Sequence, residues 1–167
     1  ELGLLKMDFL GLRNLTVLED AARQVRRREP GFQVERIPLD DKKTFDMLAA
    51  GRTVGVFQLE SAGITAVCMG LRPRSIEDIT AVIALYRPGP MESIPRFLAC
   101  SAHPERITYK HPLLEPILSV TYGCIVYQEQ VIEIFRQLAG FSLGQADMIR
   151  RAMSKKKEAV ITAERAA

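Results

Sequence analysis

The chain has 167 residues, 47% of them apolar, and its 23 basic and 20 acidic side chains give a formal net charge of +3. This length and apolar content suit one domain, or one domain and part of a second, and no apolar run approaches the ~20 residues that cross a bilayer. Three widely spaced cysteines without C-x-x-C spacing argue against a disulfide framework or a zinc site and favour a cytoplasmic protein, and the lack of a long apolar run argues against membrane association.

The first predicted element is a β-strand in the apolar run LGLLKMDFLGL, residues 2–12. Lys6 and Asp8 alternate around Met7, and this period of two places both polar side chains on one face of the strand. The chain opens with Glu1 and not with methionine, so we expect it to be a piece of a longer protein.

Apolar side chains at helical spacing, together with capping and stop signals, predict a series of helices after this strand. These helices lie within residues 14–31, 38–51, 60–69, 74–86, 93–100, 122–140 and 142–157. The short apolar piece at 53–60 is predicted to be a strand or a turn, and the start of 122–140 a brief β-rich piece. Ser75 and Asp78 begin one helix with a capping-box-like pair, and Ser142 and Gln145 begin another. The YRPGP segment indicates only a rigid turn, which exposes a Tyr and an Arg.

The last two helices each carry a predicted buried face. The side chains at helical spacing are Val131, Ile134, Phe135 and Leu138 in one helix, and Leu143, Ala146, Ile149 and Met153 in the other. The chain is therefore predicted to be mainly helical, with six prolines concentrated in a loop-rich connector at residues 87–116.

The most basic stretch is ADMIRRAMSKKK, residues 146–157. Five Arg and Lys side chains fall within residues 150–157 and give this stretch a charge of +5, so the rest of the chain has a net charge of −2. Asp147, Arg151 and Lys155 lie one helical turn apart, with Arg150 beside them. Two interpretations are open here: a solvated helix end whose cations complement the macrodipole, or a phosphate site in which Arg supplies a bidentate fork and Lys a point charge.

Asp8 is the second candidate for a functional residue. Burying a carboxylate on an apolar strand is costly unless a cation or a metal ion balances it, and Lys6 on the same face is a ready partner. A simple ion pair is therefore one interpretation. The other is a two-metal phosphoryl-transfer site, which needs two or three carboxylates around ions ~3.5–4 Å apart. The chain offers no second carboxylate in an obvious geometry for such a site.

Taken together, these segments resemble the alpha subunits of bacterial DNA polymerase III, the C-family replicative DNA polymerases. LLKMDFLGLRNLT is similar to the last strand of the palm domain and the helix after it. TVGVFQLES, LYRPGPM, TYGCIVYQEQV and LAGFSLGQADMIRRAMSKKK are similar to successive signatures of the fingers domain. The match covers nearly the whole chain in the family's order, and it favours the functional interpretation of both candidates.

The resemblance implies roles for five residues. Asp8 matches the third catalytic, metal-binding aspartate of the palm, which joins two others in holding the Mg²⁺ ions. Lys6 matches a neighbouring palm lysine that faces the triphosphate of the incoming nucleotide. Arg150 and Arg151, with Lys155, match the basic cluster of the fingers that reaches the same triphosphate. In the implied reaction the primer 3′-hydroxyl attacks the α-phosphate in line and pyrophosphate leaves.

The fold implied by the resemblance is mainly α (α+β), with the end of the palm in residues 1–30 and helical fingers with small β pieces in residues 31–167. The implied partners are primer–template DNA and deoxynucleoside triphosphates, joined in the full-length protein by the sliding clamp and other replicase subunits. One carboxylate cannot build a two-metal site, so the isolated chain is expected to be inactive as a polymerase. The alternative is a helical nucleic-acid-binding or scaffold module without chemistry.

Overall fold

A computed structural model describes residues 3–157 and 161–162 of the chain. This described part is mainly helical, as predicted, with eight α-helices joined by turns and short 3₁₀ helices. The α-helices are α1 (Arg13–Arg26), α2 (Lys42–Ala49), α3 (Ala62–Leu71), α4 (Ile76–Leu85), α5 (Ile94–Ala102), α6 (Glu115–Leu118), α7 (Gln128–Ala139) and α8 (Leu143–Ser154). None of the helices described is long and apolar enough to span a membrane.

The chain divides into two compact units, Glu1–Asp41 and Lys42–Ala167. The first unit contains α1, which ends shortly before the predicted stop, and a 3₁₀ helix at Val34–Arg36. Ala22 is the buried side chain of α1. The predicted boundary between palm and fingers after residue 30 concerns function, and it stays a prediction.

The predicted N-terminal strand is not formed among the described residues, since residues 3–12 are irregular and exposed. A strand is held by hydrogen bonds to a neighbouring strand, and the described part of the chain contains no other strand to pair with it. The segment 53–60, predicted as a strand or a turn, consists of turns and irregular backbone, and so does the β-rich piece predicted at the start of 122–140. The described fold is therefore α, not α+β.

α3 is the central helix of the second unit and packs against α2, α4 and α5. The core that it organises consists of Leu48, Leu59, Ile64, Val67, Cys68, Leu71, Ala81, Val82, Leu85, Phe97 and Cys124. Gly63 of α3 lies so close to Tyr86 that a methyl group in its place would overlap the Tyr86 hydroxyl. The end of α4 and the YRPGP turn that follows it are thereby held against the core.

The capping signals identified in the sequence are present at α4 and α8. Ser75 Oγ accepts a hydrogen bond from the backbone N–H of Asp78 at 3.3 Å. At α8, the backbone N–H of Ser142 donates to Gln145 Oε1 at 3.0 Å and the backbone N–H of Gln145 donates to Ser142 Oγ at 3.4 Å. Gly140 ends α7 with a φ of +69°, a conformation that favours glycine.

α7 and α8 pack against each other, but their predicted buried faces are only partly buried. The predicted positions that are buried or half-buried are Val131, Ile134, Phe135, Ala146 and Ile149. Leu138, Leu143 and Met153 are exposed, so the prediction is wrong for these three residues. Ala152, which the prediction left out, is buried instead.

Candidate functional site

A cavity of about 670 Å³ opens in the second unit, between the C-terminal ends of α4 and α8 and the N-terminal end of α7. This volume is typical of sites that bind small molecules. Arg87 and Pro88 of the YRPGP turn line one part of the cavity, Tyr127 and Gln128 line another, and Arg150 lines a third. Three motifs that lie far apart in the sequence therefore meet at one cavity.

Arg150 is the most firmly held cation of the cavity, with a side chain that is 17% exposed. Its Nε and Nη2 donate to Asp147 Oδ1 at 2.9 and 2.8 Å, and its Nη1 donates to Gln128 Oε1 at 2.7 Å. A guanidinium group has five N–H donors, so these three hydrogen bonds leave two for a ligand. The side chain is fixed between α7 and α8 and retains donors for an anion.

Asp147 connects the two arginines that follow it in α8. While its Oδ1 accepts from Arg150, its Oδ2 pairs with Arg151 Nε at 2.7 Å. Hydrogen bonding from Arg150, with the charge of Arg151 nearby, holds the pKa of the Asp147 carboxyl below its usual value. The carboxylate therefore stays ionised under ordinary conditions and offsets part of the positive charge that the sequence places in this helix.

The structure separates Arg150, Arg151 and Lys155, the three residues at the end of α8 and just past it that were predicted to bind one triphosphate. Arg150 lines the large cavity, whereas Arg151 and Lys155 line a smaller one of about 210 Å³ together with Lys157. The Arg151 side chain is 68% exposed. Adjacent residues of a helix point about 100° apart, so a run of cations divides between two faces. Arg150 alone of these three is placed at the cavity where the other motifs meet.

The lining of the large cavity carries more cationic than anionic side chains. Arg87 and Arg150 supply two guanidinium groups, and Glu129 supplies one carboxylate. The N-terminal end of α7, a helix of 12 residues, adds the positive end of its dipole. The C-terminal ends of α4 and α8 carry partial negative charge, which the two guanidinium groups complement.

Gln130 holds the wall of this cavity in place from inside the unit. It is 5% exposed, and its Oε1 accepts from the backbone N–H groups of Val126 and Tyr127 at 2.8 and 2.9 Å. Its Nε2 donates to the carbonyl of Ile117 at 3.1 Å and to Thr121 Oγ1 at 2.7 Å. One buried amide thus ties the start of α7 to the segment before it.

Lys6 and Asp8 both lie in the first unit and are exposed. The ion pair that the sequence suggested between them is not among the ion pairs of the described residues. Within residues 3–157 and 161–162, no group of three or more His, Cys, Asp or Glu side chains could hold a metal ion. Mg²⁺ requires several oxygen ligands, so the described residues do not by themselves form the implied magnesium site.

Sequence reasoning missed two residues, Arg87 in the lining of the cavity and Gln130 buried behind it. Arg87 was interpreted only as part of a turn, because nothing local shows that the turn faces the start of α7 and the end of α8. In the sequence, Gln130 looks like an ordinary polar residue of a helix. Its role depends on contacts with Thr121 and Ile117, which lie 9 and 13 positions earlier. No spacing rule in the sequence marks either residue.

Comparison with known proteins gives a consistent result. A family model described as the bacterial DNA polymerase III alpha subunit finger domain matches residues 14–167. Proteins named DNA polymerase III subunit alpha are similar to the chain: that of Staphylococcus epidermidis is 53% identical over 165 residues, covering 98% of this chain and 16% of the relative. That of Halalkalibacterium halodurans is 57% identical over 158 residues (94% and 14%), and that of Staphylococcus aureus is 51% identical over 166 residues (98% and 16%). The chain thus spans about a sixth of the length of these relatives.

Proposed function

We propose that this chain, which belongs to the bacterial DNA polymerase III alpha subunit finger-domain family, binds the incoming deoxynucleoside triphosphate within a DNA-directed DNA polymerase. The observation that carries the proposal is the large cavity, with the Arg150 guanidinium fixed in its wall. Family membership supports the polymerase, and the geometry of the cavity supports the nucleotide.

The chemistry of the cavity suits a phosphate chain. A guanidinium binds phosphate oxygens through two parallel N–H donors, and Arg150 has two donors left after its contacts with Asp147 and Gln128. Because Arg150 is only 17% exposed, water screens its interaction with an anion less than it would at the surface. We infer that this chain holds and orients the nucleotide while the primer 3′-hydroxyl attacks its α-phosphate.

The experiment is Arg150→Ala in the full-length polymerase that carries this segment. Losing charged hydrogen bonds worth about 1.5–3 kcal/mol should raise the KM for deoxynucleotides about 10- to 100-fold, with a much smaller change in affinity for primer–template DNA. Arg136→Ala is the matched control, because Arg136 is a half-exposed arginine of α7 that pairs with Glu133 and lines neither cavity.

The opposite pattern would contradict the proposal. If Arg150→Ala leaves the KM for deoxynucleotides unchanged and instead weakens DNA binding with a shallower salt dependence, the cluster contacts the DNA backbone. That outcome would favour the alternative, a helical nucleic-acid-binding module, for this segment.

The remaining assignments stay predictions that rest on the resemblance. They are the nucleotide contacts of Lys6, Arg151 and Lys155, the role of Asp8 as a catalytic Mg²⁺ ligand completed by aspartates outside these residues, and the binding of primer–template DNA. The sliding clamp, the other replicase subunits and the cytoplasmic location belong to the same set.

A further inference from the structure

Arg87 is a second guanidinium at the large cavity, and it differs from Arg150 in having no partner. Its side chain is exposed and lines the same cavity. Among the described residues, no hydrogen bond or ion pair engages this side chain, although its backbone is fully used: the N–H donates to Leu85 O at 2.8 Å and the carbonyl accepts from Met91 N–H at 3.2 Å. Arg87 therefore presents all five of its N–H donors.

The backbone that carries Arg87 is held rigidly. Pro88 and Pro90 flank Gly89, whose φ of +100° favours glycine, and the 3₁₀ helix Pro90–Ser93 follows at once. On the other side, Tyr86 packs against the core and approaches Gly63 closely. An exposed arginine on a fixed backbone loses only side-chain freedom when it binds a ligand.

We propose that Arg87 binds the phosphate chain of the nucleotide together with Arg150; this rests on the function proposed above. Arg150 is already paired with Asp147, so its ion pair leaves little net charge for a polyanion. A triphosphate needs more positive charge than one neutralised arginine offers, and Arg87 is the unpaired guanidinium that lines the same cavity. The lining also includes Glu129, whose negative charge repels a phosphate chain, so one arginine is still less sufficient to bind it.

The simpler account of Arg87 is a cation that complements the C-terminal dipole of α4. The two accounts differ in what the side chain does for the ligand. A dipole-complementing arginine affects the stability of α4 and leaves nucleotide binding unchanged. A phosphate-binding arginine affects the affinity for any molecule that contains the β- and γ-phosphates, whichever base is attached.

The test uses the full-length polymerase with Arg87→Ala, Arg87→Lys and Arg150→Ala. Arg52→Ala serves as the control, because Arg52 is exposed in the same unit and lines neither cavity. The measurements are KM and kcat for deoxynucleotides in primer extension, and KM for pyrophosphate in the reverse reaction. Arg87→Ala should raise both KM values about 10-fold with kcat changed far less, and Arg87→Lys should give a smaller rise. An unchanged urea midpoint of unfolding for Arg87→Ala shows that the fold is intact.

Each contrary result is informative. If Arg87→Ala raises the KM for deoxynucleotides but not that for pyrophosphate, Arg87 contacts the base, the sugar or the template and the proposal is wrong. If only Arg150→Ala raises the KM values, Arg87 is not a ligand and the proposed function of the cavity stands. If neither variant raises them, the proposed function fails as well.

Discussion

Replacing Gln130 with methionine tests whether one buried amide holds the wall of the large cavity. Methionine has nearly the length and volume of glutamine, so Gln130→Met removes hydrogen bonds without opening a cavity in the core. The variant removes the hydrogen bonds that four groups make to the Gln130 amide: the backbone N–H groups of Val126 and Tyr127, the carbonyl of Ile117 and the hydroxyl of Thr121.

The expected loss of stability follows from how well each of these groups is shielded. A buried polar group without a partner costs about 1–3 kcal/mol. Thr121 keeps hydrogen bonds to the carbonyls of Leu118 and Cys124, so its loss is small. Val126 and Tyr127 are half-buried, and water replaces part of what they lose. The Ile117 carbonyl bears the full cost of a buried acceptor that has lost its donor. Together with the partial losses at the other three groups, we expect the free energy of unfolding to fall by about 2–4 kcal/mol.

The assay is urea unfolding of the chain, followed by far-UV circular dichroism. Gln137→Met is the matched control in the same helix, because Gln137 is exposed and its amide makes one long hydrogen bond to Glu133 at 3.5 Å. The control should change the free energy of unfolding by less than ~0.5 kcal/mol. Equal stability of the two variants would refute the reasoning, since Gln130 would then be no more important than a surface glutamine.

Three further predictions follow from single residues. Gly63→Ala should lower the free energy of unfolding by about 1–3 kcal/mol in urea titrations, because the new methyl group displaces Tyr86. In a Tyr86→Leu background the same change should be neutral or stabilising, because the clash is gone and alanine has the higher helix propensity. The pKa of Asp147 is lowered mainly by its hydrogen bond from Arg150, so the ionised carboxylate should contribute fully to stability above about pH 4. This contribution should be lost as the pH falls through the depressed pKa of the folded state. At that low pH, the protein and Asp147→Asn should have the same urea midpoint of unfolding. Asp8→Asn in the full-length polymerase should nearly abolish incorporation while the thermal unfolding midpoint stays unchanged, and normal turnover would remove Asp8 from the metal site.

The helices were predictable from the sequence where a local signal was sufficient. Ser75 begins α4 and Ser142 begins α8 with hydrogen bonds that involve only the next three residues. Gly140 ends α7 for an equally local reason, its positive φ. Capping depends on neighbours in the chain, and such neighbours are visible in the sequence.

The predictions that failed concerned partners distant in the sequence. A period-two pattern around Lys6 and Asp8 specifies a strand only if another strand is available for hydrogen bonding. Helical spacing at Leu143 and Met153 identified an apolar stripe but not how far the partner helix extends along it. The placement of the candidate site residues also depends on the fold, because the sequence places Arg150 and Arg151 side by side whereas the helix directs them to different cavities.

The pairing of Arg150 with Asp147 also decides what kind of binding the cavity offers. Charge and spacing in the sequence left open whether these cations form a solvated helix end or a phosphate site, and in the structure the Arg150 guanidinium is already ordered by three hydrogen bonds. A phosphate that takes the two remaining N–H donors need not displace Asp147, and it orders a side chain that has little freedom left to lose. The unpaired Arg87 must supply most of the net electrostatic attraction for an anion, whereas the paired Arg150 fixes the orientation in which the anion binds. On the proposed function, Asp147→Asn in the full-length polymerase should therefore lower activity, because it removes contacts that order Arg150 while adding to the positive field of the cavity.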